Sequence, residues 1–151
     1  MPPKPLTGRL IDSMVAILGD ITALAGVTIR EEGDSAAVET PYIVVGASRL
    51  NERVHGSGAY NMELRIHLKT TSGEGPKAST DAQLLDLDGG IEEAVFSLRG
   101  EDLADVLTAN GEELRVDDVF DAISEATEFT NAKRNIIYRL QCVCMSITPA
   151  V

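Results

Sequence analysis

The chain has 151 residues, a formal net charge of -11 and a pI near 4.5. That length is enough for one domain with a real core and no disulfide or metal staples. The acidic balance excludes nucleic-acid binding by bulk electrostatics, and no apolar run approaches the roughly 20 residues of a membrane-spanning helix.

Met1 to Leu6 is proline-rich, so residues 1–6 are expected as an extended arm, with a single α+β domain over 7–151. The start MPPKPL also lacks the apolar core of a signal peptide, so a protein made and kept in the cytoplasm is expected. Thr7 can cap a helix whose apolar stripe is Leu10, Met14, Ile17, Leu18 and Ile21, recurring at spacings of three and four. Gly19 and Asp20 interrupt that stripe, so the helix stops there or kinks toward Ala25. Glu31 to Thr40 is polar and contains glycine, and it reads as a loop or the tip of a hairpin. After Pro41, the β-branched run Tyr42–Val45 reads as a strand, and Gly46 to Gly58 as a long exposed hairpin loop.

The firmest element is Tyr60–Lys69. Apolar and polar residues alternate over ten positions, which is the period of a strand with one dry face and one wet face. Tyr60, Met62, Leu64, Ile66 and Leu68 face a core, and Asn61, Glu63, Arg65, His67 and Lys69 face solvent or a partner. Ser72 to Lys77 is a turn. Ser79 or Thr80 opens a second helix with a capping box through Gln83, carried by Leu84, Leu87, Ile91, Val95 and Leu98. Gly89-Gly90 inside it costs about 1 kcal/mol per glycine relative to alanine, which points to a break or a close approach there. Asp102 to Thr108 adds one or two helical turns. Glu113 to Val119 is read as a strand followed by an irregular stretch, and Asn135 to Thr148 as the longest strand. In that strand Ile136, Tyr138, Leu140, Cys142 and Cys144 line one face, with Ile137, Arg139, Gln141, Val143, Met145 and Ile147 on the other. The fold expected is α+β, a mostly antiparallel four-stranded sheet with two helices packed on one face.

Catalytic chemistry finds little footing. His67 sits on the polar face of a regular strand, and His55 in a loop with no nucleophile beside it, so neither makes a base with a partner. His55-Gly56-Ser57-Gly58 lacks the strand–turn–helix setting of a nucleophile elbow. Asp86-Leu87-Asp88 and Asp117-Asp118 read as solvated acid rather than as a converging oxygen cage. Cys142 and Cys144 lie on one side of a strand, where a disulfide would strain the backbone; they read as buried apolar side chains. No cofactor or metal is expected.

The charge pattern says more. From Asp81 to Glu128 the only bases are Arg99 and Arg115, whereas Arg49, Arg53, Arg65, Lys69 and Lys77 gather on the hairpin and Lys133 and Arg134 precede the last strand. A surface divided in this way suits head-to-tail association of identical subunits.

The helix, then PYIVVGASRL, a loop, YNMELRIHLKT, a helix opened by STDAQLL, and the strand RNIIYRLQCVCMSI resemble the tail terminator (tail completion) proteins of long-tailed bacteriophages. The resemblance is one of layout and texture over roughly Leu6 to Ile147. It implies a non-enzymatic virion protein of the neck or tail: a hexameric ring on the tail-tube protein that meets the head-tail connector protein, with DNA passing through an acidic lumen that does not bind it. Tube subunits and connector adaptors share the texture. The expected partner contacts are Arg49, Arg53 and His55 in the long loop, Arg65, His67 and Lys69 on the central strand, and Met145 and Ile147 at a subunit seam. A small dimeric α+β ligand-binding domain, and an enzyme using His55 with acids from Asp117 to Asp121, are the rival classes.

Overall fold

A computed structural model describes residues 5–32, 41–71, 81–96, 100–129 and 133–146. The first helix, α1 (Leu6–Gly19), buries Leu6, Leu10, Ser13, Met14, Ile17 and Leu18, the stripe that its three-and-four spacing requires. It opens at Leu6, two residues earlier than a Thr7 cap would allow. Pro5 takes the capping position without a side-chain bond, and its carbonyl accepts from the Arg9 amide at 3.0 Å. Instead of a kinked continuation, a separate 3-10 turn over Thr22–Leu24 follows.

Among the described residues the sheet has five strands, not four, and one of its pairings is parallel. The strands are β1 (Thr28–Glu31), β2 (Tyr42–Glu52), β3 (Ala59–Thr71), β4 (Leu114–Phe129) and β5 (Lys133–Ser146). Their spatial order is β1-β2-β3-β5-β4, with β1 parallel to β2 and every other pairing antiparallel. Among the described residues there are three α-helices where two were expected: α2 (Asp81–Val95) and α3 (Gly100–Asn110) are separate elements.

Three strands differ from the sequence expectation for definable reasons. β2 runs seven residues past Val45, through Gly46, Ala47 and Ser48, because β3 offers a ladder of backbone groups opposite those small residues. The long loop therefore shrinks to residues 53–58. β4 is a strand throughout rather than a strand with an irregular tail. It carries register shifts at Val116/Asp118, Val119/Asp121 and Ala126/Glu128, so three of its residues repeatedly face two of β5. β5 matches its expected inner face, ending at Ser146. Residues 1–4 of the arm, the 72–80 turn with the Ser79/Thr80 cap, and Ile147 lie outside the described residues.

All described helices pack on one side of the sheet. The core joins Leu10, Met14, Ile91, Leu103 and Leu107 to Ile43, Val45, Met62, Leu64, Ile66, Leu68, Tyr138 and Leu140. Two polar contacts pin the helices. The buried Ser13 hydroxyl donates to the Leu107 carbonyl at 2.5 Å, satisfying one of the last-turn acceptors of α3 that has no partner within the helix. The Val116 amide donates to Thr108 Oγ1 at 2.9 Å, tying α3 to β4. Cys142 and Cys144 are buried and free, with their sulfurs 3.6 Å apart.

Candidate functional site on the open face of the sheet

Because every described helix lies on the other side, the second face of the sheet is uncovered among the described residues. The alternation in β3 puts Glu63, Arg65, His67 and Lys69 on this face. Register then sets Val44 opposite His67 on β2, and Ile137 and Arg139 opposite His67 and Arg65 on β5. Val44, Arg65, His67, Lys69, Ile137 and Arg139, with Glu32 just past β1, line a shallow depression of about 340 Å³, and Glu63 bonds to its two arginines. Ile137 forms its floor, only 2% exposed despite having no layer above it. Its long neighbours cover it with their stems.

Arg65 is the hub. Its guanidinium donates to Ser48 Oγ at 2.7 Å, to Glu32 Oε1 at 3.1 Å and to Glu63 Oε1 at 3.2 Å. Burial works against its charge, but the two carboxylates outweigh it and hold its pKa above the ordinary value. Arg139 shares Glu63 from the other side, at 3.4 Å. Lys69 lies 5.9 Å from the Tyr42 ring centroid, within cation–π range. His67 is half-buried between these groups. Burial lowers its pKa first, and Lys69, Arg65 and Arg139 lower it further against the pull of Glu32. The depression thus holds three permanent cations and two carboxylates.

The expected loop trio is split. Arg53 and His55 are exposed at the β2–β3 tip, while Arg49 sits on β2 itself, on the helix side, its guanidinium 4.9 Å from the Tyr60 ring centroid. The tip is built by Glu52, whose two oxygens accept from the Gly56 amide at 2.7 Å and the Gly58 amide at 3.0 Å. Those two bonds lower its pKa. Both glycines have positive φ, 81° and 75°, which the turn requires. Arg49, Tyr60 and Met145 line a second depression, of about 500 Å³, beside the start of α1. The structure therefore brings Arg65, His67 and Lys69 together, pairs Arg49 with Met145 elsewhere, and leaves Arg53 and His55 at the tip.

Glu32, Glu63 and Arg139 complete the first depression and were not singled out from sequence. Arg139 and Glu63 were readable as outward-facing on their strands. Glu32 was not, since its contact with Arg65 joins residues 33 apart in the chain.

The enzyme reading finds no assembled site. His55 is at the β2–β3 tip and Asp117–Asp121 are on β4, with β5 between β3 and β4. Arg115 Nε pairs with Asp117 at 2.8 Å. Among the described residues no group of three or more His, Cys, Asp or Glu is placed to hold a metal ion, and no described helix is long and apolar enough to cross a membrane. The Cys144 thiol is pushed well above its ordinary range by contact with the Cys142 sulfur and by burial.

No protein-family model matches the chain, and no curated protein matches it. Among solved structures it is similar to a chain from the virion of the native gene transfer agent (GTA) particle, with a TM-score of 0.55 and 13% sequence identity. The match covers 89% of this chain and 93% of that one. At that identity the likeness is one of fold.

Proposed function

We propose that this chain is a structural protein of a phage-like virion and that it acts as a tail terminator. In this reading identical copies form a ring, a hexamer, in the neck. The ring closes the end of the tail tube and joins it to the head-side connector. The observation that carries the reading is the likeness of fold to a virion chain, which runs almost end to end on both proteins. The layout of helices and strands read from the sequence supports it independently.

The charge balance fits the task. A net charge of -11 spread over each of several copies gives a lumen that repels phosphate, so DNA passes without sticking. The work of the protein is then binding: to itself, to the tail-tube protein and to the connector, in particles assembled in the host cytoplasm. Catalysis has no part in it.

The test is mass in solution by light scattering, first alone and then with tail tubes, followed by electron microscopy of the mixture. A six-copy ring, or a single copy that joins only one end of the tubes, is the expected result. A stable dimer indifferent to tubes overturns the reading. Incorporation along the tube wall, or binding to the connector alone, replaces the terminator with a tube subunit or a connector adaptor.

A further inference from the structure

Among the described residues, large apolar side chains stand exposed at the β2–β3 tip and beside the outermost strand, β4. Leu50 and Val54 are 51% and 66% exposed at the first, and Phe96 and Phe120 are 38% and 49% exposed at the second. Loop tips ordinarily carry small or polar residues, whereas this one is an apolar knob. Glu52 engages the Gly56 and Gly58 amides with its two carboxylate oxygens, so the knob is ordered before it meets anything. Arg53 and His55 flank Val54, both exposed. His55 lies 3.7 Å from the Glu52 carboxylate, and Arg53 makes no ion pair with another described residue.

Beside β4, Val95, Phe96, Leu103, Val119, Phe120 and Ala122 line a groove of about 270 Å³, with Asp121 also on its wall. Its surroundings are acidic. Glu92 is one helical turn before Phe96, and Glu101 and Asp118, both exposed, each adjoin a residue of the lining. From residue 92 to residue 114 the sequence holds one base, Arg99, and Arg115 is already paired with Asp117 at 2.8 Å. The knob is therefore apolar with a basic flank, and the groove apolar with an acidic flank. Within one chain they stay apart, because β3 and β5 separate β2 from β4 by three strand spacings, roughly 14 Å. We propose that the β2–β3 tip of one copy seats in the β4 groove of a second copy, with Val54 against Phe96 and Phe120 and Arg53 toward Asp121 and Glu92. One sequence carrying both halves of the complement is what selects a second copy as the occupant. The inference rests on the self-association in the reading above and assigns its seam. Tip and groove are different surfaces, so the contact runs head to tail and closes as a ring when the rotation between copies allows.

Cross-linking between copies tests it. One variant carries Val54→Cys and the other Phe120→Cys; the native Cys142 and Cys144 are buried and do not compete. The two are mixed with oxidised glutathione, and with tail tubes if wild type assembles only on them. They are expected to join at least ~10-fold faster than Val54→Cys mixed with Leu85→Cys, an exposed position about 15 Å down α2 from Val95. Val54→Cys alone is expected to react no faster than that control. Adding Arg53→Glu to the Val54→Cys copy is expected to slow the joining ~10-fold, since like charges then meet. Equal rates for the Phe120→Cys and Leu85→Cys partners, a fast reaction of Val54→Cys with itself, or a rate indifferent to Arg53→Glu overturns the seam. A wild-type ring seen in any of those cases leaves the ring reading standing without it. A chain carrying both Val54→Cys and Phe120→Cys reads closure. A ladder of adducts ending at six supports seam and ring together, whereas one ending at two keeps the contact as a reciprocal exchange and removes the ring. Absence of any wild-type self-association, with or without tubes, removes both.

Discussion

The Tyr138 hydroxyl, on the inner face of β5, donates to the Asp88 carboxylate on α2. Tyr138 is the largest fully buried side chain of the core, and Phe96 at the end of α2 lies with its ring centroid 6.2 Å away. Burial, then the bond to Asp88, and the charge of Glu92 push the phenol well above its ordinary range, so it stays protonated and remains a donor. The pair is the polar bolt between the sheet and its second helix.

Removing the hydroxyl with Tyr138→Phe leaves the carboxylate without this donor, and a bond to a charged acceptor is worth about 1.5–3 kcal/mol. The expected loss of stability, read as a lowered urea midpoint at unchanged slope, falls in that range. Asp88→Asn keeps an acceptor oxygen and is expected to lose less than Tyr138→Phe. An unchanged midpoint for Tyr138→Phe would show that the bolt does not hold.

Adjacent glycines in α2 are expected to respond with opposite sign. A Cβ at Gly89 meets nothing within 4 Å, so Gly89→Ala gains helix propensity and stabilises by about 0.5–1 kcal/mol. A Cβ at Gly90 lies 3.0 Å from Leu24 Cδ2 and 3.1 Å from Ala23 Cβ, where the 3-10 turn presses on the helix. Gly90→Ala must push that turn away, and overpacking of this kind costs about 1–3 kcal/mol. Thermal melting of the two single variants checks the pair. The sequence signalled a break or a close approach at these glycines, and the structure has the close approach.

Other features were legible to different degrees, for physical reasons. β3 could be read because both of its faces obey the period of two, and its outward bases sit where that period puts them. β4 could not. Val116, Val119 and Ala122 pair with Cys144, Cys142 and Leu140, so each bulge converts a spacing of two into three and imitates a helix. β1 escaped because its four residues at a sheet edge bury no clear alternate set. The extension of β2 through Gly46–Ser48 comes from its partner strand rather than from its own residues. The same limit hid part of the depression: Arg65 was readable as outward-facing, but the Glu32 that holds it arrives through the parallel pairing of β1.

The β2–β3 tip is expected to stay ordered in moderate acid. Two backbone N–H groups lower the Glu52 pKa below its ordinary 4.5, so the carboxylate keeps accepting from Gly56 and Gly58 as pH falls through that value. Its contribution is present above the ordinary pKa and is lost only as pH drops through the lower, folded value. Hydrogen exchange of the Gly56 and Gly58 amides checks this. Protection is expected near neutral pH and down past 4.5, and in Glu52→Ala it is expected to vanish at every pH. Protection that survives in Glu52→Ala would assign the order of the tip to the glycine turn alone.

His67 sets a pH dependence of the opposite consequence, destabilising from just below neutrality. Its folded pKa lies below the ordinary 6.5 because burial and the nearby Lys69, Arg65 and Arg139 disfavour the imidazolium, with Glu32 the opposing carboxylate. Val44 and Ile137, its cross-strand neighbours, offer no polar group, and the next register position across β5 is Glu125. The unfolded chain therefore binds the proton more readily than the folded one. Stability is full above about 6.5 and falls as pH drops from there through the folded pKa. Urea midpoints at about pH 7.5 and about pH 5 should separate further in wild type than in His67→Gln, which has no proton to take up. Equal separations in the two proteins would place the acid sensitivity on the carboxylates instead.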